Sequence, residues 1–540
     1  MDKLKSLYKI FEKHISGVKF AVIIISTFAI TLVFGTFMES YHGADYANRM
    51  VYKSWWFMAL EACMFISVFM ATVVRLPVQK RLKGFYCIHA GLLILFIGSF
   101  FTYVNGIDGS IQLLPNEPAT KLLINEDILR IDNLSTRKSF KYTLPYSYKT
   151  YKIDKSIDKV EIVEFIPYAE NKIEWHSEEN HNKKQHSSTY MIFNDNMSQE
   201  VTLSLSSKSD FKSVTKMGLL SIHYMPKILK NCFSKETESG FIIWNLSSGV
   251  CFTAEERNLP MSKTKKGTRF VVLKNNGKFL KFFPDFSPVA INDDLTKNTN
   301  SPFRVLSKKI FESKPTLFAF GDAISFYKKR KKKWLMKEFS KNDGILPLPW
   351  MGFKLRLLHF SDSSYPVEIP QYTVPAQESG EIIIGKVKAV KIKFHGKKYF
   401  VRSDGPLELS NGKETMRFQI TPKEIKLPYQ ITLDRFQMNV DPGTQKAASF
   451  ESFVQLLDGR NSQGVKSHHV FMNNPLKYDD FTFYQSSYFP LGKDQAGKQQ
   501  YGSVLSVNYD PGRFFKYLGC IIVIFGSIWH FIINRKKVKA

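Results

Sequence analysis

Residues 20–38 read FAVIIISTFAITLVFGTFM, a stretch of 19 residues without a charged side chain. A helix that crosses the hydrocarbon core of a bilayer needs about 20 apolar residues, each adding a rise of about 1.5 Å. The stretch therefore predicts a membrane-spanning helix. The residues before Glu39 show no small-x-small cleavage pattern of a signal peptide, so we expect the helix to be retained.

Three more apolar runs predict three more spans, at residues 55–74, 84–104 and 514–533. No comparable run lies between residues 105 and 512. The sequence thus predicts an integral membrane protein with four transmembrane helices and one large polar domain. It excludes a disordered chain, because apolar residues make up 44% of the whole.

Basic residues set the expected orientation of the helices. Lysine and arginine cluster in residues 1–19, again between the second and third spans, and again after the fourth span. These three segments share one side of the membrane, which the positive-inside rule assigns to the cytoplasm. Residues 1–19 are then a cytoplasmic tail, residues 105–512 are extracytoplasmic, and residues 513–540 hold the fourth helix and a basic cytoplasmic tail.

The large domain is basic, with 59 Lys and Arg against 43 Asp and Glu, a net charge of +16. We expect no nucleic-acid partner for a domain outside the cytoplasm, so the charge favours anionic lipid headgroups or an anionic cargo. The five cysteines include no CxxC or CxxCH spacing, which argues against a thiol oxidoreductase and a cytochrome c. Cys232 and Cys251 share this domain and could form a disulfide.

The domain is predicted to be mainly β. Several of its segments alternate in polarity and are rich in aromatic or β-branched residues, as half-buried strands are. These segments are residues 159–166, 353–358, 382–394, 429–436 and 481–484. No Gly-rich phosphate loop, HExxH or GxSxG motif occurs, so the sequence offers no catalytic residues.

An ionisable residue inside a span is costly, which makes His89 a functional candidate. It lies roughly 7 to 8 Å into the membrane from the cytoplasmic side, at about 1.5 Å per residue. Phe85, Phe96 and Phe100 project within about 40° of it on a helical wheel. Neutral imidazole is a common axial ligand of haem iron, and a flat macrocycle suits an aromatic wall. The alternative is a histidine that hydrogen-bonds to a neighbouring helix.

Other polar or small residues in the spans have simpler expected roles. Glycines on another face of the third span would let a second helix approach closely: Gly84, Gly91 and Gly98. His530 is expected near His89 in depth, either as a second ligand or as an interfacial histidine. Glu61 should lie more than about 10 Å from His89 along the membrane normal, which argues against direct contact between the two side chains. We therefore expect Glu61 to pair elsewhere within the helix bundle.

Nine short motifs resemble, in sequence and in order, those of the ResB (CcsB) family of cytochrome c biogenesis proteins. They cover both ends of the chain and the last third of the large domain, whereas residues 170–340 match poorly. The motifs are SWWF at 54–57, VRLP at 74–77, HAGLL at 89–93, GSIQL at 109–113, VEFIPY at 163–168, DPGT at 441–444, MNNPL at 472–476, FYQSSY at 483–488 and DPG at 510–512.

The resemblance implies a subunit of the System II apparatus in the bacterial cytoplasmic membrane, which delivers haem and attaches it to CxxCH motifs of apocytochrome c. Its implied partner is a ResC (CcsA) type membrane subunit, either separate or fused. The family histidine at the start of the third span maps onto His89, as one axial ligand of haem b in transit. The second ligand would come from the ResC half. This sequence does not contain that half, and the subunit would be accessory to the haem lyase.

Two other classes of function remain open from the residues alone. A membrane-tethered extracytoplasmic binding or sensing module would share the topology, but the cytoplasmic segments offer no output domain. A transporter would need more helices or oligomerisation, because four spans leave little room for alternating access.

Overall fold

The structure is a computed structural model. It describes residues 12–177, 186–233, 240–246, 248–254, 259–264, 267–275, 277–285, 287–292, 296–298, 301–331, 333–339, 344–378, 381–410, 414–440, 447–460, 464–493, 497 and 499–538. Most of the N-terminal tail and the DPGT motif at 441–444 lie outside these residues.

Four long helices are apolar enough to cross a membrane, and with the β-rich domain they confirm the predicted fold class. Their bounds are Val18–His42, Trp55–Val73, Lys83–Asn105 and Arg513–Val538. They are called the first to fourth helices below. The domain end of the bundle adjoins the β domain, and the basic end is the opposite one. Three short helical segments complete the connections between the first three helices: Ala44–Ala47, Asn48–Tyr52 and Lys80–Leu82.

Glycine allows the third and fourth helices to pack backbone against backbone. Gly84, Gly91 and Gly98 are buried, as the predicted seam requires. A Cβ at Gly91 would lie 2.8 Å from the carbonyl oxygen of Gly519, and one at Gly98 would lie 2.9 Å from that of Gly512. Real Cβ atoms do not come so close, so the seam is confirmed and larger residues there would separate the helices.

The chain divides into two compact units, one made of Met1–Glu170 with Pro370–Ala540 and the other of Asn171–Ile369. The first, here called the membrane unit, contains the four helices. The second, here called the insert unit, includes nearly all of residues 170–340, the part of the sequence that resembles the ResB family poorly, and extends beyond it to Ile369.

In the membrane unit, ten described strands form an antiparallel sheet. Eight follow one another across it: Lys466–Val470, Ala447–Leu457, Thr415–Val440, Pro118–Asn133, Ile107–Leu113, Gln499–Tyr509, Phe481–Lys493 and Leu476–Tyr478. Leu407–Ser410 pairs with the third of these and Lys138–Thr143 with the fourth. Ile111, Leu122, Ile431 and Leu505 are among the fully buried side chains of its core.

This sheet fixes which helices are neighbours. The strand Ile107–Leu113 begins two residues after the third helix ends, and the strand Gln499–Tyr509 ends four residues before the fourth begins. The two strands pair directly, with Ile107 opposite Tyr509. Adjacent strands are about 5 Å apart, so the sheet delivers the two helices to the membrane side by side.

A second sheet of the membrane unit contains Tyr151–Ile157, Val160–Ser177, Val387–Phe394 and Lys397–Arg402. A hairpin of Ala376–Glu378 and Glu381–Ile384 directly precedes the strand Val387–Phe394 in the chain. The predicted strand over residues 382–394 is therefore two strands. The first strand ends at Ile384 and the second begins at Val387. Between them Gly385 has a φ of 75°, a left-handed conformation that favours glycine and interrupts the strand.

The insert unit is built from short strands. Its strands are Ser187–Phe193, Ser198–Ser204, Val214–Met217, Leu220–Tyr224, Phe241–Asn245, Cys251–Ala254, Met261–Lys263, Arg269–Asn275, Lys278–Phe282, Ala290–Ile291, Lys297–Asn298, Phe303–Ser307, Thr316–Ala319, Ala323–Lys328, Lys333–Glu338, Ile345–Pro347 and Lys354–Ser361, with Ser364–Tyr372 leading out of it. Its helical segments are Lys227–Phe233, Lys308–Ser313 and Lys329–Lys331. Cys232 and Cys251, whose pairing could not be decided from the sequence, form a disulfide.

Candidate functional site

His89 lies in the third helix, where one of its ring nitrogens is hydrogen-bonded and the other has no hydrogen bond within the described residues. Its Nδ1 is 2.9 Å from the carbonyl oxygen of Phe85. A carbonyl can only accept, so Nδ1 carries the proton and Nε2 keeps the lone pair of a neutral imidazole. Within the described residues, Nε2 makes no hydrogen bond. The ring is therefore held in the tautomer that a metal ligand requires.

Phe85 and Arg75 surround this imidazole. The ring centroids of Phe85 and His89 are 3.7 Å apart, and the Arg75 guanidinium carbon lies 5.0 Å from the Phe85 centroid. Arg75 Nη1 donates to the carbonyl of Ala71 at 2.7 Å, and the Tyr86 hydroxyl donates to the Arg75 carbonyl. A cation is thus fixed beside the aromatic ring that covers His89. Sequence reasoning used Arg75 only for orientation, although it belongs to the VRLP motif.

Phe96 and Phe100 lie on the same helix but away from His89. They are 7 and 11 residues further along, which is about 10 and 16 Å at the helical rise. Both line a cavity of about 620 Å³ between the second and third helices, near the domain end. Its other walls include Trp55, Met58, Glu61 and Phe65. His89 does not line this cavity, so the structure brings only Phe85 of the three predicted phenylalanines to the imidazole.

Glu61 lacks the expected pairing within the described residues, and His530 does not share the face of the third helix that carries His89. Glu61 was expected to pair within the bundle, but it forms no ion pair or hydrogen bond with the rest of the described chain. His530 packs against the third helix at Gly84, where a Cβ would lie 2.5 Å from the His530 Cβ. Gly84 precedes His89 by five residues, about 140° around the helix, so His530 occupies a different face.

A buried ionic cluster fixes the loop between the first and second helices to the β domain. The Arg49 side chain is only 1% exposed, and it donates to Asp45 at 3.0 Å and to Asp127 at 2.9 Å. Lys388 donates to the other Asp127 oxygen at 2.7 Å. The Tyr168 hydroxyl, from the VEFIPY motif, donates to Asp45 at 2.7 Å. Only the Asp45–Arg49 pair, four residues apart, has a spacing that the sequence could indicate; Asp127, Tyr168 and Lys388 are distant in the chain, so no spacing rule could have found the whole cluster.

The pKa values of this cluster follow from burial and charge. Burial acts to lower the pKa of Arg49, but the carboxylates of Asp45 and Asp127 outweigh it and the net shift is upward. Burial, followed by the charge of Asp45, raises the pKa of the Tyr146 phenol to about 12. Tyr146 also faces the guanidinium carbon of Arg49 at 4.5 Å from its ring centroid. Arg49 is thus charged and Tyr146 neutral across the physiological range.

The DPG motif at 510–512 joins the third and fourth helices at the domain end. Asp510 accepts from the Thr102 hydroxyl at 2.5 Å and from Lys516 Nζ at 2.7 Å. Burial would raise the pKa of Asp510, but the hydrogen bond from Lys516 and its charge hold it below its usual range. The motif therefore has a positioning role.

The MNNPL and FYQSSY motifs also have positioning roles. Asn474 donates to the carbonyl of His469 at 2.8 Å and closes the turn between two strands. Gln485 accepts from Ser452 at 2.6 Å and donates to Ser503 at 3.1 Å, and both serines are fully buried. Buried polar groups need such partners, so these residues specify the packing of the large sheet.

The fold and site define a four-helix membrane protein with a large β domain and an intramembrane imidazole. Residues 401–498 match the ResB-like family. The chain is also similar to Protein NrfI of Wolinella succinogenes, at 31% identity over 111 residues, which are 21% of this chain and 11% of NrfI. The match thus spans about a tenth of that relative. Together the two findings confirm the resemblance to ResB (CcsB) proteins.

Proposed function

We propose that the chain acts in cytochrome c biogenesis as a membrane subunit that binds haem in transit and helps to deliver it to apocytochrome c. The single observation that carries the proposal is the state of His89. Its Nδ1–H donates a hydrogen bond to the Phe85 carbonyl, and its Nε2 makes no hydrogen bond within the described residues. Such a nitrogen is a competent axial ligand for haem iron.

The surroundings of His89 fit haem as the cargo. Haem is a flat apolar macrocycle that carries two anionic propionates. Phe85 shields one side of the imidazole from water, and the guanidinium of Arg75 lies where an anionic group would be stabilised. We infer that Nε2 of His89 holds the iron, Phe85 limits access of water, and Arg75 attracts a propionate.

The partner subunit is inferred from the family resemblance and from the single histidine ligand that this site supplies to haem iron. The part of the chain that the structure describes offers one imidazole at this site, because His530 lies on another face. We therefore infer that the second ligand comes from a ResC (CcsA) type membrane subunit. The role proposed for the β domain is to dock that subunit and the apocytochrome c.

The orientation proposed for the chain is the one that places the β domain outside the cytoplasm. The basic residues that flank the helices favour it. The Cys232–Cys251 disulfide also supports it, because disulfides persist mainly in oxidising compartments.

The test is to express the chain with its ResC-type subunit and a c-type apocytochrome in a strain that lacks its own assembly proteins. Covalent haem on the cytochrome is then measured on haem-stained gels. We expect attachment to require the chain and to fall at least tenfold in His89→Ala. His530→Ala, at the same end of the bundle, should remain near wild type. Equal attachment with and without the chain would refute the proposal and favour a sensing or binding module.

A further inference from the structure

The cavity between the second and third helices contains a carboxylate that the described chain leaves without a partner. Here it is called the Glu61 groove, defined by Trp55, Met58, Glu61, Phe65, Phe96 and Phe100. Its wall is almost entirely apolar apart from Glu61. Glu61 lies six residues, about 9 Å, below Trp55 at the domain end of the second helix. It therefore faces the hydrocarbon region of the bilayer.

The cost of this placement predicts that something pairs with Glu61. A carboxylate inside a span is costly to insert, and such residues usually pair within a bundle or line a pathway. Within the described residues, Glu61 has no ion pair and no hydrogen bond. The groove is also open, since Phe100 is 60% exposed and Trp55 is 81% exposed. A molecule that covers it must supply both apolar surface and a hydrogen-bond donor.

Charge complementarity selects among the possible occupants. Haem carries two anionic propionates, which Glu61 would repel. A lipid acyl chain would cover the phenylalanines but leave the carboxylate without a donor in hydrocarbon. A helix that presents a lysine, arginine or histidine among apolar residues satisfies both requirements, because the cation pairs with Glu61 and its neighbours pack on Phe96 and Phe100.

We propose that the Glu61 groove is the docking site for a transmembrane helix of a partner subunit, and that a basic side chain of that helix pairs with Glu61. The identity of the partner as a ResC-type subunit rests on the function proposed above; the chemistry of the contact does not. The groove faces away from the glycine seam, which already holds the fourth helix. Phe96 and Phe100 thus act in subunit assembly.

The experiment is photo-crosslinking in membranes that contain the chain and its ResC-type subunit. p-Benzoyl-phenylalanine replaces Phe100 in the groove or, as a matched control, Phe525 on the fourth helix, which is also 60% exposed. We expect Phe100 to crosslink to a ResC helix within one turn of a basic residue, and Phe525 not to do so. Glu61→Gln should reduce the Phe100 crosslink at least tenfold, because the charge pair between Glu61 and the partner's basic residue is lost.

A charge reversal completes the test. Glu61→Lys should abolish the crosslink, and exchange of the partner's basic residue for glutamate should restore it. Adducts with lipid alone, a crosslinked segment without a basic residue, or an unchanged yield in Glu61→Gln would overturn the inference. If the ResC-type subunit co-purifies but Phe100 does not reach it, only the docking site is wrong. If no ResC-type subunit co-purifies, the proposed function fails as well.

Discussion

Gly91 of the third helix and Gly519 of the fourth lie face to face. A Cβ at Gly519 would lie 2.6 Å from the carbonyl oxygen of Gly91, and one at Gly91 would lie 2.8 Å from that of Gly519. The two backbones therefore touch without intervening side chains. Since the strands that adjoin these helices also pair, the glycine contact and the sheet hold the same two segments together.

The first prediction concerns this contact. Gly91→Leu should destabilise the protein by about 1 to 3 kcal/mol, because the new side chain must push the fourth helix away. The control is Ala90→Leu, one residue earlier at an exposed position, which should change stability little. Unfolding in mixed detergent micelles, followed by helical circular dichroism, measures both. Equal stability of the two variants would contradict the close packing.

The second prediction concerns Arg49. Removal of one partner from a buried ion pair typically costs about 3 to 5 kcal/mol, and Arg49→Met should fall near the lower value because Lys388 still neutralises Asp127. Lys121→Met is the control. In its ion pair with Glu424, the Lys121 side chain is 65% exposed and the Glu424 side chain 46% exposed. The Lys121 substitution should therefore lower the free energy of unfolding by at most about 1 kcal/mol. Thermal unfolding of the purified chain compares them, and a similar loss in both would show that the cluster contributes little.

The third prediction concerns acid sensitivity of the insert unit. His186 is 3% exposed, and burial lowers its pKa to about 4, while Nε2 lies 3.0 Å from the Met225 carbonyl. An unfolded histidine has a pKa of about 6.5, so the unfolded state binds the extra proton first. Stability should therefore be complete above about pH 6.5 and decline as the pH falls toward 4.

The comparison for this prediction is His186→Gln, whose amide can still donate to Met225. Its stability should depend less steeply on pH between 6.5 and 4 than that of the wild type. The stability of His186→Gln should still fall somewhat as the pH is lowered, because burial also lowers the pKa of His223 to about 4. A His186→Gln slope equal to that of the wild type would contradict the assignment.

The sequence was sufficient for features that depend on local pattern. Residues 20–38 were predicted as a span and lie within Val18–His42, because a long uncharged run has few other stable environments. Glycines at every seventh residue predicted the packed face of the third helix, because they share one side of a helix. The same spacing recurs at Gly512, directly before the fourth helix, and at Gly519 and Gly526 within it, and is a further sequence signal of this contact.

The sequence was insufficient where residues distant in the chain meet. The contact of Arg49 with Asp127 joins positions 78 residues apart, and nothing local marks either as buried. The helical wheel placed Phe96 and Phe100 on the face of His89 but did not weigh their height, so it grouped residues that line a separate cavity. The division into two units likewise depends on long-range packing, which periodicity does not record.

The most direct measurement is the absorption spectrum of haem in the purified complex of the chain with its ResC-type subunit. The wild type should show low-spin haem with two nitrogen ligands. His89→Gly should lose that spectrum, and added imidazole should restore it by occupying the vacated position, whereas His530→Gly should resemble the wild type. If His89→Gly keeps the same haem content and the same low-spin spectrum without imidazole, His89 is not the ligand and the proposed role of the chain is wrong.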